Sequence, residues 1–251
     1  MIARGTAPPL LGLGSFVAAL AIVEVLIRGN LISRFVVPMP SQILAAFGPV
    51  IAEEHLLERF LLTFKECVYT AALIAVVGIA LGTLLQRFEL LRRATETWVA
   101  AAASAPTVLM YPLFLVIFGR NATTIVMMAF VAGLPPVILK TIEGLSGTRR
   151  VLINVGRSFN LSQRQLFVKI LFPAALPTIF VGLKLGLIFA LINVVGVEFL
   201  INFGGLGQLI NELAERYDLP GTYAAICFVI AVSIVFFVVI ERIERWLRPS
   251  S

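Results

Sequence analysis

Long uncharged stretches recur along the chain and set its organisation. Five stretches contain no charged residue, and a sixth is interrupted only by Lys184. They cover residues 5–23, 67–86, 97–119, 121–139, 219–240 and, for the interrupted one, 170–197. A helix needs about 20 apolar residues to cross ~30 Å of hydrocarbon. The pattern therefore predicts an all-α membrane protein with about six transmembrane helices, centred near residues 18, 76, 108, 131, 187 and 231.

The composition supports a bilayer rather than a large soluble core. Hydrophobic residues make up 59% of the 251 positions, and the mean hydropathy is +0.99, whereas soluble domains contain roughly 45–50% apolar residues. Residues 24–28 offer no small-residue cleavage site, so the first run is read as a helix rather than a signal peptide. Cys67 and Cys227 lie in no metal or redox spacing, and His55 is the only histidine. We expect packed free thiols and no metal site.

The basic residues predict which ends of the helices face the cytoplasm, because Lys and Arg accumulate in cytoplasmic loops. If the N-terminus is cytoplasmic, thirteen basic residues lie inside: Arg4, Arg87, Arg92, Arg93, Lys140, Arg149, Arg150, Arg157, Arg164, Lys169, Arg242, Arg245 and Arg248. Six lie outside: Arg28, Arg34, Arg59, Lys65, Arg120 and Arg216. We therefore expect both termini, and the basic segment 140–177, on the cytoplasmic side.

Glycines and prolines inside the runs predict how the helices pack. Gly78 and Gly82, and likewise Gly182 and Gly186, are spaced four apart, and small residues at that spacing allow helices to approach closely in lipid. The third run contains Pro106 and Pro112, and the fourth contains the pair at 135–136. Each proline removes a backbone hydrogen bond. We expect both helices to be interrupted, either as tolerated kinks or as broken helices that line a transport pathway.

Two connecting segments predict amphipathic helices on the outer surface. In the first, Ser41 is a candidate N-cap, and the apolar residues of one face are Ile43, Leu44, Phe47, Val50 and Ile51. In the second, we expect a flexible turn at the glycines, which are Gly204, Gly205 and Gly207. The apolar stripe that follows consists of Leu206, Leu209, Ile210, Leu213 and Tyr217. No Gly-Lys-Ser/Thr follows the glycines, so they are not a phosphate loop.

Few polar residues lie within the predicted helices. Lys184, Asn193 and Glu198 are the main ones in the fifth run, and ionisable groups in a membrane are functional candidates. Lys184 and Glu198 are separated by about 21 Å along a helix, at ~1.5 Å per residue, so they cannot pair within it. The alternatives for each are snorkelling or a structural salt bridge.

The chain carries no visible means of using ATP. No Gly-x-x-x-x-Gly-Lys-Ser/Thr, His-Glu-x-x-His or Gly-x-Ser-x-Gly motif is present, so we expect no enzymatic activity. A pump partner would have to engage segment 140–177. There, residues 149–159 predict a short helix with Val151, Leu152 and Val155 on one side, and Ser162 can cap a second helix that Pro173 closes.

This segment resembles the EAA loop of ABC-importer permeases, whose pattern is roughly Glu-Ala-Ala, three residues, Gly, nine residues, then Ile-x-Leu-Pro. Residues 154–156 (Asn-Val-Gly) occupy the Glu-Ala-Ala place, Asn160 the glycine place, and residues 170–173 (Ile-Leu-Phe-Pro) the last place. The spacing is kept, but the glutamate, glycine and leucine are replaced. VPMPSQIL, PTVLMYPLFLVIFG, VVGVEFL and GGLGQLI resemble the nitrate/sulfonate/taurine branch of these permeases.

The resemblance runs from about Val37 to Ile240 and implies a type I importer fold in the cell inner membrane. It implies a first helix and external segment over residues 1–58, then a transmembrane domain over 59–245 with the coupling loop at 140–177. The implied partners are a second permease copy (a homodimer), two ATP-binding subunits and an external substrate-binding protein. ATP and Mg would bind the ATP-binding subunits, and this chain would bind no cofactor.

The resemblance also implies roles for particular residues. Those expected to couple to the ATPase are Asn154, Val155, Gly156, Arg157, Ser158, Asn160 and Pro173. Those expected near the pathway are Pro106, Pro112, Lys184, Asn193 and Glu198, with Gly204, Gly205 and Gly207 at the outer mouth. The substrate would be a small anionic or aromatic/heterocyclic solute. The alternatives are a self-sufficient secondary transporter or channel, and a structural subunit that recruits a soluble complex.

Overall fold

The computed structural model describes residues 7–33 and 36–247, and within them all regular structure is helical. Arg4, Arg34 and Arg248 of the charge count lie outside these residues. The long helices are α1 (Ala7–Arg28), α3 (Leu56–Arg87), α4 (Glu89–Ser104), α6 (Ala122–Ser146), α9 (Phe172–Ile201) and α11 (Leu219–Leu247). The shorter ones are α2 (Pro40–Ala52), α5 (Tyr111–Phe118), α7 (Arg150–Ser158), α8 (Gln163–Leu166) and α10 (Gly205–Glu215).

Four of the described helical segments are long and apolar enough to cross a membrane: Leu56–Arg87, Ala122–Ser146, Gln163–Ile201 and Leu219–Arg242. The third predicted span is a bent pair of helical segments, Glu89–Ser104 and Thr107–Phe118, which meet at 90°. Taken together, the pair is a fifth candidate span. The first predicted span corresponds to α1, a helix of 22 residues that contacts α2. These results confirm an all-α membrane protein, while the crossing by α1 stays a prediction.

The prolines act differently in the two spans where we expected interruptions. Pro106 lies in the break between α4 and the 3₁₀ turn Thr107–Met110, and Pro112 lies in the first turn of α5, where it does not kink the helix. Of the two alternatives for the fourth span, a broken helix is wrong, because α6 continues through Pro135 and Pro136. Both prolines are buried between neighbouring helices, and such packing allows a transmembrane helix to tolerate lost backbone bonds.

Helix α6 lies between α3 and α9 at the centre of the bundle, and glycines set the spacing. A Cβ at Gly78 would lie 2.7 Å from Val137 Cγ1, and one at Gly182 would lie 2.6 Å from Lys140 Cβ. Gly133 and Gly186 face each other so closely that neither leaves room for a side chain. The predicted close packing at both glycine pairs is confirmed.

The segment between α6 and α9 is shorter than the predicted 140–177, because α6 runs to Ser146 and Pro177 lies inside α9. Pro173 does not close the second loop helix. Instead, α8 passes through one π turn, Phe167–Leu171, directly into α9. A π turn is wider than an α-helical turn, so it moves the backbone carbonyl with which the ring of Pro173 would otherwise clash. The result is one helical segment of 39 residues, Gln163–Ile201.

Candidate functional site

The loop between α6 and α9 presents α7 with an exposed apolar stripe. Val151 is 70% exposed, Leu152 43%, Val155 47% and Phe159 76%. Positions four apart lie on one face of a helix, and this face points away from the rest of the chain. Phe159 was not singled out from the sequence, although it continues the spacing of Val151 and Val155. Asn154, Arg157 and Ser158 are also exposed.

Gly156 is the buried residue of α7. A Cβ there would lie 2.6 Å from both Leu166 Cδ1 and Ile170 Cδ1. The glycine therefore lets α7 pack closely on α8 and the π turn of its own chain. Gly156 is among the residues expected to couple to the ATPase, and its own close contacts lie inside the loop.

Asn160 explains why this loop keeps its shape without the family glycine. Its φ is +52°, in the left-handed region that favours glycine and that asparagine tolerates best among the others. The Leu161 N–H donates to the Gly156 carbonyl at 3.1 Å, and the Asn160 N–H donates to the Arg157 carbonyl at 2.9 Å. Together these bonds form a Schellman motif that ends α7.

The predicted cap at Ser162 is present. The Gln165 N–H donates to Ser162 Oγ at 3.3 Å, and the Ser162 N–H donates to Gln165 Oε1 at 2.9 Å. This reciprocal capping box satisfies two backbone donors at the start of α8. The direction in which the chain enters the π turn and α9 is thereby fixed.

Glu198 is fully buried at the opposite end of α9 from this loop. Thr63 Oγ1 of α3 donates to Glu198 Oε1 at 2.7 Å, and the Gly207 N–H of α10 donates to Oε2 at 2.8 Å. The Leu206 N–H in turn donates to Thr63 Oγ1 at 2.8 Å. A carboxylate at a helix N-terminus is stabilised by the free N–H groups there. Glu198 thus ties α3, α9 and α10 together at one point.

The glycines at the start of α10 serve this junction rather than forming the flexible turn we expected. A Cβ at Gly205 would overlap the Glu198 carboxylate, and Gly205 has φ +72°. A Cβ at Gly207 would meet the backbone of Val195 and lie 2.6 Å from the Phe199 nitrogen. Helix α10 already begins at Gly205. Bare backbone is needed here because the carboxylate and α9 fill the space.

Glu66 of α3 is a second carboxyl group at this junction. It is 7% exposed and its carboxyl group lies close to that of Glu198. Its Oε2, and the Oγ1 of fully buried Thr70 one turn later, have no protein partner among the described residues. Sequence reasoning missed Glu66 because it borders the uncharged run, but Thr63, Glu66 and Thr70 form a polar stripe at helical spacing.

The other candidate pathway residues lie apart from this junction. Thr107, next to Pro106, donates its hydroxyl to Asn193 Oδ1 at 3.1 Å, so the break after α4 packs on α9. Pro106 and Pro112 are exposed. Lys184 Nζ lies 3.5 Å from Glu244 Oε2 and 4.4 Å from the centre of the Phe237 ring. This geometry matches the salt-bridge alternative for Lys184.

Ion pairs hold α10 to the neighbouring segments. Arg59 of α3 pairs with Glu212 at 2.7 Å, and Arg216 pairs with Glu54 at 2.7 Å. Leu206, Leu209 and Leu213 are buried, as the predicted stripe requires. The assignment of Tyr217 to that stripe is wrong: it follows the end of α10, has φ +58° and is 88% exposed.

Comparison with known proteins identifies this architecture. Over residues 74–249 the chain matches the family described as "Binding-protein-dependent transport system inner membrane component", and it belongs to that family. It is 28% identical over 178 residues to the formylaminopyrimidine transport permease protein ThiX of Halalkalibacterium halodurans, covering 71% of each chain. It is also 28% identical over 176 residues to the nitrate import permease protein NrtB of Synechocystis sp., covering 70% of this chain and 64% of the relative.

A solved structure shares the fold. A chain of the inward-facing MetNI methionine ABC transporter superposes with a TM-score of 0.67 at 20% identity, covering 77% of this chain and 96% of that one. The protein is therefore a multi-pass inner-membrane permease subunit of an ABC importer, with the type I fold. Its family is one of transport subunits, and it implies an ATP-binding subunit and a substrate-binding protein as partners.

Proposed function

We propose that two identical copies of this chain form the translocation pathway, and that two separate ATP-binding subunits hydrolyse ATP with Mg. The absence of a phosphate-loop sequence from the 251 residues supports this division of labour. The excess of basic residues near one set of helix ends supports a cytoplasmic position for the α6–α9 loop and both termini. The chain itself would bind no cofactor.

Helix α7 is the coupling helix in this proposal, and the observation that carries it is the exposed apolar stripe ending in Phe159. Outside the membrane, an exposed apolar patch of this kind usually marks a surface on which a partner packs. Arg149, Arg150 and Arg157 border the stripe, so the partner surface would be apolar at its centre and acidic around it. Four further coupling residues, Asn154, Val155, Ser158 and Asn160, are exposed on or beside α7.

Movement of α7 would reach the far end of the bundle through α9. Gly156 packs α7 on α8 and the π turn, and these continue without a break to Ile201. At ~1.5 Å per residue, those 39 residues form a lever of about 58 Å. Glu198 lies near its far end and holds α3 and α10. A tilt of this lever would therefore shift α10 relative to the pathway.

The pathway in this proposal runs beside the broken third span, where Thr107 contacts Asn193. Solute would arrive from the substrate-binding protein at the α10 end, near Gly204, Gly205 and Gly207. The relatives act on formylaminopyrimidine and nitrate by name, which supports a small anionic or heterocyclic solute. The pairing of Lys184 with Glu244 gives no separate support for an anion.

The contact with the ATP-binding subunit can be tested by reversing one charge. Arg157→Glu should strongly reduce co-purification of the ATP-binding subunit, because an acidic rim would then face an acidic side chain. Lys169→Glu is the matched control: it reverses an exposed charge in the same loop but outside α7. Equal recovery of the ATP-binding subunit with wild type and Arg157→Glu would refute this contact.

A further inference from the structure

A cavity of about 920 Å³ lies where the α6–α9 loop meets the ends of the membrane helices. Its walls come from the last turns of α3 and α6 and from α7, α8 and the π turn. Sites for small ligands in proteins usually measure roughly 300–1,000 Å³. The cavity is distinct from the exposed stripe of α7 and from the Glu198 junction.

The cavity lining contains basic residues and hydrogen-bond donors. Arg87 and Arg164 line it together with Gln86 and Gln163, and none of its described lining residues is acidic. Among the described residues, no carboxylate lies within 4.0 Å of either arginine. Arg92 donates to Gln86 Oε1 at 2.8 Å, so the amide N–H groups of Gln86 remain to donate elsewhere. These donors suit an anion.

The cavity lining also contains apolar residues, Leu145, Phe167 and Leu171. Arg87 is the last residue of α3, a helix apolar enough to cross the membrane, so the cavity lies at the boundary between hydrocarbon and water. Basic pockets between transmembrane helices at this level bind anionic lipid headgroups. A small soluble anion would leave most of the volume unfilled and the apolar lining residues without a contact.

We propose that this cavity binds the headgroup of one anionic phospholipid from the leaflet on the loop side. The phosphate contacts Arg87 and Arg164. The part of an acyl chain nearest the headgroup lies along Leu145, Phe167 and Leu171. The lipid joins α3 and α6 to α8, and so holds the loop against the membrane helices. Binding itself does not depend on the proposed transport activity; only its effect on coupling does.

The purified full-length chain in neutral detergent can be titrated with fluorescent phosphatidylglycerol and with fluorescent phosphatidylcholine. We expect the chain to bind phosphatidylglycerol at least about tenfold more tightly than phosphatidylcholine. A tenfold difference in affinity is no more than one charge-assisted hydrogen bond can supply. The double variant R87Q/R164Q should lose this preference. R149Q/R150Q, which removes two exposed arginines of the same loop outside the cavity, should keep it. The single variant R164Q provides a second reading if the double variant unfolds.

Three outcomes would overturn the proposal. The first is equal affinity of wild type for the two lipids. The second is equal loss of phosphatidylglycerol binding in R149Q/R150Q and R87Q/R164Q, which would indicate general surface charge. The third is displacement of the lipid by soluble glycerol phosphate at equal concentration, which would assign the cavity to a soluble anion.

Discussion

Thr63 of α3 and Glu198 of α9 are 135 positions apart in the chain and meet in a buried hydrogen bond of 2.7 Å. The same threonine accepts the Leu206 N–H, and the same carboxyl group accepts the Gly207 N–H. One polar contact therefore fixes three helices in an apolar surrounding. An unsatisfied buried partner costs about 1–3 kcal/mol, so the junction should control both stability and movement at this end of the bundle.

Substitution at the glycines of α10 tests the junction by sterics. Gly207→Ala should lower the midpoint of thermal unfolding by several degrees, because its Cβ would meet the backbone of α9. Gly196→Ala is the control in α9, since nothing lies within 4 Å of a Cβ there. It should leave the midpoint unchanged or raise it slightly, because glycine in a helix costs roughly 0.5–1 kcal/mol relative to alanine. Equal effects of the two variants in detergent would contradict the close packing.

The two neighbouring carboxyl groups, Glu66 and Glu198, give a prediction about whether a polar side chain is needed at position 66. Glu66→Gln keeps a polar side chain of the same shape beside Glu198 and should leave the unfolding midpoint close to that of wild type. Glu66→Leu removes the polar group and should lower the midpoint, since a buried polar group that loses a partner costs about 1–3 kcal/mol. The midpoints of thermal unfolding of Glu66→Gln and Glu66→Leu, measured side by side, test this difference. A stable Glu66→Leu protein would show that Glu66 does not support Glu198.

The shape of the loop depends on the left-handed residue that ends α7. Asn160→Gly should preserve co-purification with the ATP-binding subunit, because glycine adopts φ +52° without strain. Asn160→Val should weaken it, because a β-branched side chain disfavours this conformation and the Schellman bonds to Gly156 and Arg157 would be lost. If the valine variant assembled as well as the glycine variant, the geometry of this turn would not matter for assembly.

Features set by local sequence could be predicted. Hydropathy located the spans, four-residue glycine spacing gave the contacts at Gly78 and Gly182, and Ser162 marked a helix start. Each depends on residues within one or two turns. The role of Gly205 and the partnership of Glu66 with Glu198 could not be predicted, because both join segments far apart in the chain.

The prolines also show that local sequence predicts some features while packing decides others. Pro135 and Pro136 give the same local signal as Pro106, yet α6 continues and the third span breaks. The difference comes from burial between α3 and α9, which supports one helix and not the other. Pro173 was expected to end a helix, and a π turn accommodates it instead. Such outcomes depend on the surrounding packing and not on the proline itself.

The most direct test of the account is solute uptake by the complete importer in sealed vesicles. The chain is reconstituted with its ATP-binding subunit, the substrate-binding protein is supplied on the α10 side, and labelled solute is followed with ATP on the α7 side. We predict uptake that requires ATP, the binding protein and the wild-type residue at Arg157. Uptake by the chain alone, or uptake unaffected by omitting the binding protein, would contradict a permease driven through α7.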